Sequence, residues 1–213
     1  MPAYVPLFVR ADGRTCAVVG GGRIGGERAL RMAAWGVGVR LISPAVTPAV
    51  ADAVARGAIG EHRARAYRAG DLDGCALAVA ATASRDVNRA VLADARRAGI
   101  PCNVADDARA GDFIVPATVR RGDLVIAVTT GGASPAVAAE VRRRLEVTFG
   151  PEWSDLLALL GDLRDDLRAR HPDPDERAAC VRAVLDSEVH AMLSRGDRLE
   201  AERLARTLLE LGE

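Results

Sequence analysis

Three groups of residues in this 213-residue chain have types and spacings that can do chemistry. Gly20-Gly-Gly-Arg-Ile-Gly25 satisfies G-x-G-x-x-G, directly after an apolar run and before a helical pattern. In that setting Gly20 allows a tight turn, Gly22 lets the backbone approach a pyrophosphate, and Gly25 lets a helix pack closely on a strand. Amides at the helix start, with the helix dipole behind them, supply the anion site. Gly20, Gly22, Arg23, Ile24 and Gly25 are therefore candidate dinucleotide contacts, against the alternative of a glycine-rich turn that holds nothing. The second group is Asp106 with Asp107, just past the apolar run 100–105. A carboxylate there can accept a proton from a bound substrate or simply cap a loop. The third is Thr129-Thr-Gly-Gly-Ala-Ser-Pro135, in which Ser134 suits a helix N-cap, Pro135 the first helical position, and the glycines leave amides exposed to a carboxylate.

Hydropathy patterning predicts the elements that hold these residues. Short apolar runs at 15–20, 37–42, 76–81 and 100–105 read as buried strands, with a weaker strand near 58–66. Helical spacing recurs at 25–35, 47–55 and 86–98, closed by Gly36 and Gly99 at two of the ends. This alternation predicts an α/β fold, a Rossmann-like parallel sheet with helices on both faces. Ligands of such sheets bind beyond the carboxyl ends of the strands, which adds Ser43, Pro44, Thr82, Asn103 and Val104 to the candidate cofactor contacts. The acidic residue expected about 20 residues after the glycine loop, to hold a ribose hydroxyl, is missing. Ile42-Ser-Pro-Ala45 stands there, with Ser43 as the available hydroxyl, and the motif by itself does not separate NAD from NADP.

Beyond Asp106 the pattern changes. Residues 113–119 and 124–129 read as strands joined by Arg120-Arg-Gly-Asp123 as a hairpin turn, followed by a helix over 134–148. Helices are predicted over 152–170, 175–194 and 197–211, broken at His171-Pro-Asp-Pro174 and at Arg195-Gly196. The expected organisation is a nucleotide-binding domain over 1–112, a strand-strand-helix segment over 113–149 and a helical domain over 150–213.

Composition removes several functional classes. Twenty-nine basic residues, every one an arginine, balance 29 acidic ones, so the chain lacks the positive field that nucleic acid or an anionic membrane requires. Without lysine there is no Schiff-base chemistry. Only 3% of residues are aromatic, too few for base-stacking platforms. The first ten residues do not read as a signal peptide, and no window reads as a membrane span. Cys16, Cys75, Cys102 and Cys180 are scattered, as are the three histidines, so no zinc site is expected and the reading is cytoplasmic with reduced thiols.

Taken in order, the glycine loop with Glu27-Arg28 behind it, Asn103-Val-Ala-Asp106 and Thr129-Thr-Gly-Gly-Ala-Ser-Pro135 resemble the precorrin-2 dehydrogenase/sirohydrochlorin ferrochelatase family of sirohaem synthesis. The match is to a stand-alone form without a fused methyltransferase, over about residues 4–149. The resemblance implies NAD as cofactor and oxidation of precorrin-2, a polycarboxylate tetrapyrrole, to sirohydrochlorin, with Fe²⁺ as substrate of a further chelatase step in some relatives. It makes Asp106 the catalytic aspartate, and Thr130, Gly131, Gly132 and Ser134 substrate contacts. Arg120 and Arg121 become forks for substrate carboxylates, or else a solvated turn. It also implies a homodimer built largely from the strand-strand-helix segment. Ala108 departs from the proline common after the aspartate pair, and Thr129 and Thr130 keep the hydroxyl where serines are frequent. A non-catalytic NAD(H)-sensing module is the competing class; the zero net charge and the absence of a helix-turn-helix pattern count against a DNA-reading form of it.

Overall fold

The apolar run after Arg14 becomes β1 (Thr15–Gly21), followed by α1 (Arg23–Ala34), β2 (Gly38–Val46), α2 (Pro48–Ala55), β3 (Glu61–Arg63), β4 (Leu77–Ala80), α3 (Arg85–Arg97) and β5 (Cys102–Val104). The computed structural model describes residues 4–107 and 109–211. Ala108 and the first three residues of the N-terminal window therefore lie outside the described residues. The chain divides into two units, Met1–Val115 and Pro116–Glu213.

In the first unit the five strands are all parallel in the order β3-β2-β1-β4-β5. Side chains of a strand alternate between faces, and here both faces are buried. Cys16 and Val18 of β1 join Val39, Leu41 and Val79 under Ala29, Met32, Val50 and Ala53 of α1 and α2. Ala17 and Val19 join Ile42, Ala78, Ala80 and Cys102 under Val91, Leu92 and Ala95 of α3. Each fully buried Val or Leu contributes about 1.5–3 kcal/mol, so the two half-cores fix strand register firmly. α3 is capped at both ends: Ser84 Oγ accepts from Val87 N at 3.3 Å, while Arg96 and Arg97 occupy the last turn.

The second unit begins with an antiparallel pair, β6 (Ala117–Arg121) and β7 (Leu124–Val128), followed by α4 (Pro135–Thr148), α5 (Glu152–Asp162), α6 (Arg164–Arg170), α7 (Pro174–Leu185), α8 (Val189–Arg195) and α9 (Arg198–Leu208). Leu156, Leu159, Leu163, Leu167, Val184, Val189 and Leu193 form its core with residues of α9.

Three readings of the sequence are corrected. Arg120 and Arg121 end β6 rather than forming the turn, which is Gly122-Asp123, with Gly122 at φ +56°. Phe113 and Val115 do not extend that strand; they pack onto the core of the first unit. The helix expected over 175–194 breaks after Leu185, because Ser187 Oγ donates to Val184 O at 2.7 Å and accepts from Val189 N at 3.2 Å. A hydroxyl that competes for backbone partners ends a helix. By contrast the interruption at Leu163 is slight, since the i→i−4 bonds Leu163 N to Leu159 O (3.1 Å) and Leu167 N to Leu163 O (2.9 Å) run through it.

Candidate functional site

The sheet reverses direction of growth at β1, with β2 on one side and β4 on the other, and this is where open α/β sheets bind ligands. Register aligns Val19 with Ala80 and Ala80 with Val104. Two residues further on stand Gly21, which ends β1, and Thr82 and Asp106, which follow β4 and β5, so all three lie at the carboxyl edge of the sheet. At the usual strand spacing β5 runs roughly 10 Å from β1, with β4 between them.

The glycines of the loop answer to different demands. Gly20 sits at φ +109°, and a Cβ there would penetrate the Ala81 carbonyl. A Cβ on Gly25 would penetrate the Gly20 carbonyl, so only glycine lets α1 start this close to the strand. Gly22 has an ordinary φ of −71° and nothing within 4 Å of its would-be Cβ. The protein itself therefore does not require glycine at 22; a group seated against the loop would. Gly22 is also the N-cap of α1, which has no side-chain cap and no acidic residue in its first turn, leaving its amides to an anion. Arg23 and Ile24 are exposed on the same turn. These features fit the pyrophosphate of a dinucleotide, which Gly20, Gly22, Arg23, Ile24 and Gly25 would hold.

Ser43 behaves otherwise. Its side chain is buried; Oγ accepts from Gly21 N at 2.9 Å and donates to Ala45 O at 2.6 Å. Its one proton is thus committed within the protein, and Ser43 fastens the glycine loop to the end of β2, while Pro44 beside it is exposed. His62 Nε2 lies 3.0 Å from Ser43 O and braces the same corner from β3. Asn103 and Val104 also meet a different environment from the one expected of cofactor contacts. Val104 lies in the core, and Asn103 is buried with Nδ2 donating to Phe113 O at 2.9 Å, its Oδ1 left without a hydrogen bond.

The two aspartates separate cleanly. Asp107 Oδ1 accepts from Arg109 N at 3.1 Å and Ala110 N at 3.2 Å, so it builds its own turn. Asp106 is exposed, and its Oδ1 accepts from Asn88 Nδ2 at 3.0 Å. Asn88, on the inner face of α3, also bonds Thr82 through the backbone N (3.0 Å), the hydroxyl (2.8 Å) and the carbonyl (3.1 Å). Thr82 is thereby bound to Asn88 rather than directed at a ligand. Arg85 Nε, at the start of α3, is 3.9 Å from Asp106 Oδ2. Neither Asn88 nor Arg85 stands in a motif. The available signal was a polar residue inside the apolar stripe Val91, Leu92, Ala95, a pattern that calls for a partner.

Burial pushes the Cys16 thiol up to about 12 and the Cys102 thiol up to about 11, so both are packing groups and not nucleophiles. Among the described residues no three or more His, Cys, Asp or Glu side chains gather to hold a metal ion, and no helix is long and apolar enough to cross a membrane.

In the second unit the Thr-Thr-Gly-Gly loop is held by its own hydroxyls. Thr129 Oγ1 accepts from Gly131 N at 3.0 Å, and Thr130 Oγ1 accepts from Ser134 N at 3.0 Å and donates to Ser134 O at 3.1 Å. Ser134 Oγ caps α4 by accepting from Val137 N at 3.3 Å. Gly131 and Gly132 have φ of +63° and +89° with open space where a Cβ would be. Arg121 is spent at the far end of α4, donating to Glu146 O at 3.2 Å and Phe149 O at 2.8 Å, whereas Arg120 Nε donates to Gly122 O at 3.1 Å.

Comparison with known proteins gives three family matches in chain order: "Putative NAD(P)-binding" over residues 7–117, "Sirohaem biosynthesis protein central" over 121–148 and "Sirohaem synthase dimerisation region" over 152–209. The last match places dimerisation on the helices, whereas the motif resemblance places it on the strand-strand-helix segment. Siroheme synthase of Chromobacterium violaceum is 37% identical over 198 residues, covering 93% of this chain and 42% of that protein. Siroheme synthase of Azotobacter vinelandii is 36% identical over 201 residues, covering 94% and 43%. The chain thus spans less than half the length of these relatives. A solved structure titled SirC, precorrin-2 dehydrogenase, shares the fold, with a TM-score of 0.74 over 97% of this chain and 99% of that one at 21% identity.

Proposed function

The chain belongs to the NAD(P)-binding family and continues into the sirohaem central and dimerisation regions, and on that premise we propose that it oxidises precorrin-2 to sirohydrochlorin with NAD. Removing a hydride and a proton from a reduced tetrapyrrole needs a hydride acceptor and a base. Bound NAD would supply the hydride acceptor. The glycine loop and the amides of α1 would hold its pyrophosphate, and Asp106 would receive the proton.

The observation that carries this reading is the Asp106 carboxylate, exposed at the same carboxyl edge of the sheet as the glycine loop, and bonded by a buried amide. It has the access and the fixed orientation that a general base needs. Asp107 is exposed as well, but its Oδ1 is committed to the Arg109 and Ala110 amides of its own turn. In the second unit the Gly131 amide is taken up by Thr129 Oγ1, so the turn at Gly132 and the start of α4 are the part of the loop that would meet a carboxylate, with Thr130 and Ser134 shaping it. Arg120 is the fork to test there. Insertion of Fe²⁺ into the product would place further demands on Asp106, and it remains a separate activity to assay.

The functional unit is a homodimer in this reading. No residue of α4 is buried, and Val137 and Val141, one turn apart on it, are exposed, an apolar strip suited to a second copy.

Purified protein incubated with precorrin-2 and NAD tests the proposal. Appearance of sirohydrochlorin absorbance together with NADH is expected; NAD binding without product would make the chain a sensing module.

A further inference from the structure

We propose that Asn88 is the positioning residue of the site, holding Asp106 by Oδ1 so that Oδ2 is the oxygen that takes the proton. This inference rests on the general-base reading of Asp106. Asn88 is 2% exposed and its hydrogen-bonding capacity is filled. Its Oδ1 accepts from Thr82 N at 3.0 Å and from Thr82 Oγ1 at 2.8 Å. Its Nδ2 donates to Thr82 O at 3.1 Å and to Asp106 Oδ1 at 3.0 Å.

Backbone chemistry decides which end of the amide is which. Thr82 N–H can only donate, so it marks the amide oxygen; Thr82 C=O can only accept, so it marks the amide nitrogen. The second N–H must then point at Asp106 Oδ1. An Oδ1 that accepts from a fixed donor cannot itself carry a proton facing that donor. With NAD bound as the hydride acceptor, the proton released from the substrate would go to Oδ2, the oxygen on the side of the exposed Arg85 guanidinium. Thr82 follows β4 by two residues and Asp106 follows β5 by two, so Asn88 ties the base to the neighbouring strand end. A base on a loop is thereby given the precision of a strand.

The test is a double-mutant cycle on the full chain, with thermal midpoint and NAD affinity measured on each variant. Asn88→Asp keeps the shape and the acceptor for Thr82 but removes the donor to Asp106; Asn88→Ser serves if that variant does not fold. Either should lower kcat for precorrin-2 oxidation by about tenfold to a hundredfold, the range for partners that orient a functional group, with the KM for precorrin-2 little changed. In an Asp106→Ala background the same change should cost less than about twofold, because interacting residues are not additive. The side-chain amide resonance of Asn88 should also move in Asp106→Ala. Multiplicative losses, or an amide resonance that does not move, would overturn the inference by making Asn88 a purely structural residue. A wild-type kcat in Asp106→Ala alone would instead sink the general-base reading and take this inference with it, so the single variant tells the two failures apart.

Discussion

Ser43 Oγ lies 2.9 Å from Gly21 N, a bond that spans 22 residues and fastens the glycine loop to the end of β2. The register of β1 and β2 shifts between Val19 and Gly21, where Gly21 pairs with Val46 and its carbonyl accepts from Thr47 N. The Ser43 hydroxyl takes up the Gly21 N–H at this irregularity. Ser43→Ala would leave a buried N–H without its partner, a loss of about 1–3 kcal/mol. The expected outcome is a lower thermal midpoint together with weaker NAD binding. Unchanged stability would show that the loop is held without Ser43.

Gly22 and Gly25 should respond to the same substitution in opposite ways. Gly22→Ala meets open space and ordinary backbone, so folding survives while NAD affinity falls. Gly25→Ala forces a Cβ into the Gly20 carbonyl, so the fold itself is lost or strongly weakened. Thermal melts with and without NAD separate the two; an NAD affinity in Gly22→Ala equal to wild type would contradict the placement of the pyrophosphate.

Asp71 ties part of the stability to pH. The guanidinium of Arg65, then the Arg68 amide and Arg63, hold its carboxyl well below the usual carboxylate range despite burial. A carboxyl lowered on folding stabilises the native state fully above its unfolded value, near about 4, and loses that contribution as pH falls through the folded value. Asp71→Asn should therefore melt below wild type at neutral pH, and the gap should narrow only when the solution is strongly acidic. A gap independent of pH would mean that packing, not charge, is at work.

The glycine loop and the alternating strands and helices were legible because each follows from a local pattern: a period of apolar residues, a cap, a turn glycine. The place of Asp106 after a strand was legible; the catalytic role proposed for it came with the family resemblance. Its separation from Asp107 was not, since that depends on which carboxylate the next turn consumes. Asn88 was illegible as a site residue because its partners, Thr82 and Asp106, lie 6 and 18 residues away and meet it only when β4, α3 and β5 pack. Arg121 misled in the reverse direction. A guanidinium beside a turn resembles a free fork, yet it closes the carbonyls at the end of α4.

The most direct test of the account is the rate of NAD-linked precorrin-2 oxidation by Asp106→Asn, an exchange of nearly equal shape that removes the proton acceptor. The account predicts a fall of about 10²-fold or more in kcat, the range for general acid–base groups, with NAD affinity and thermal midpoint unchanged. A rate within a few-fold of wild type would contradict it and place the base elsewhere.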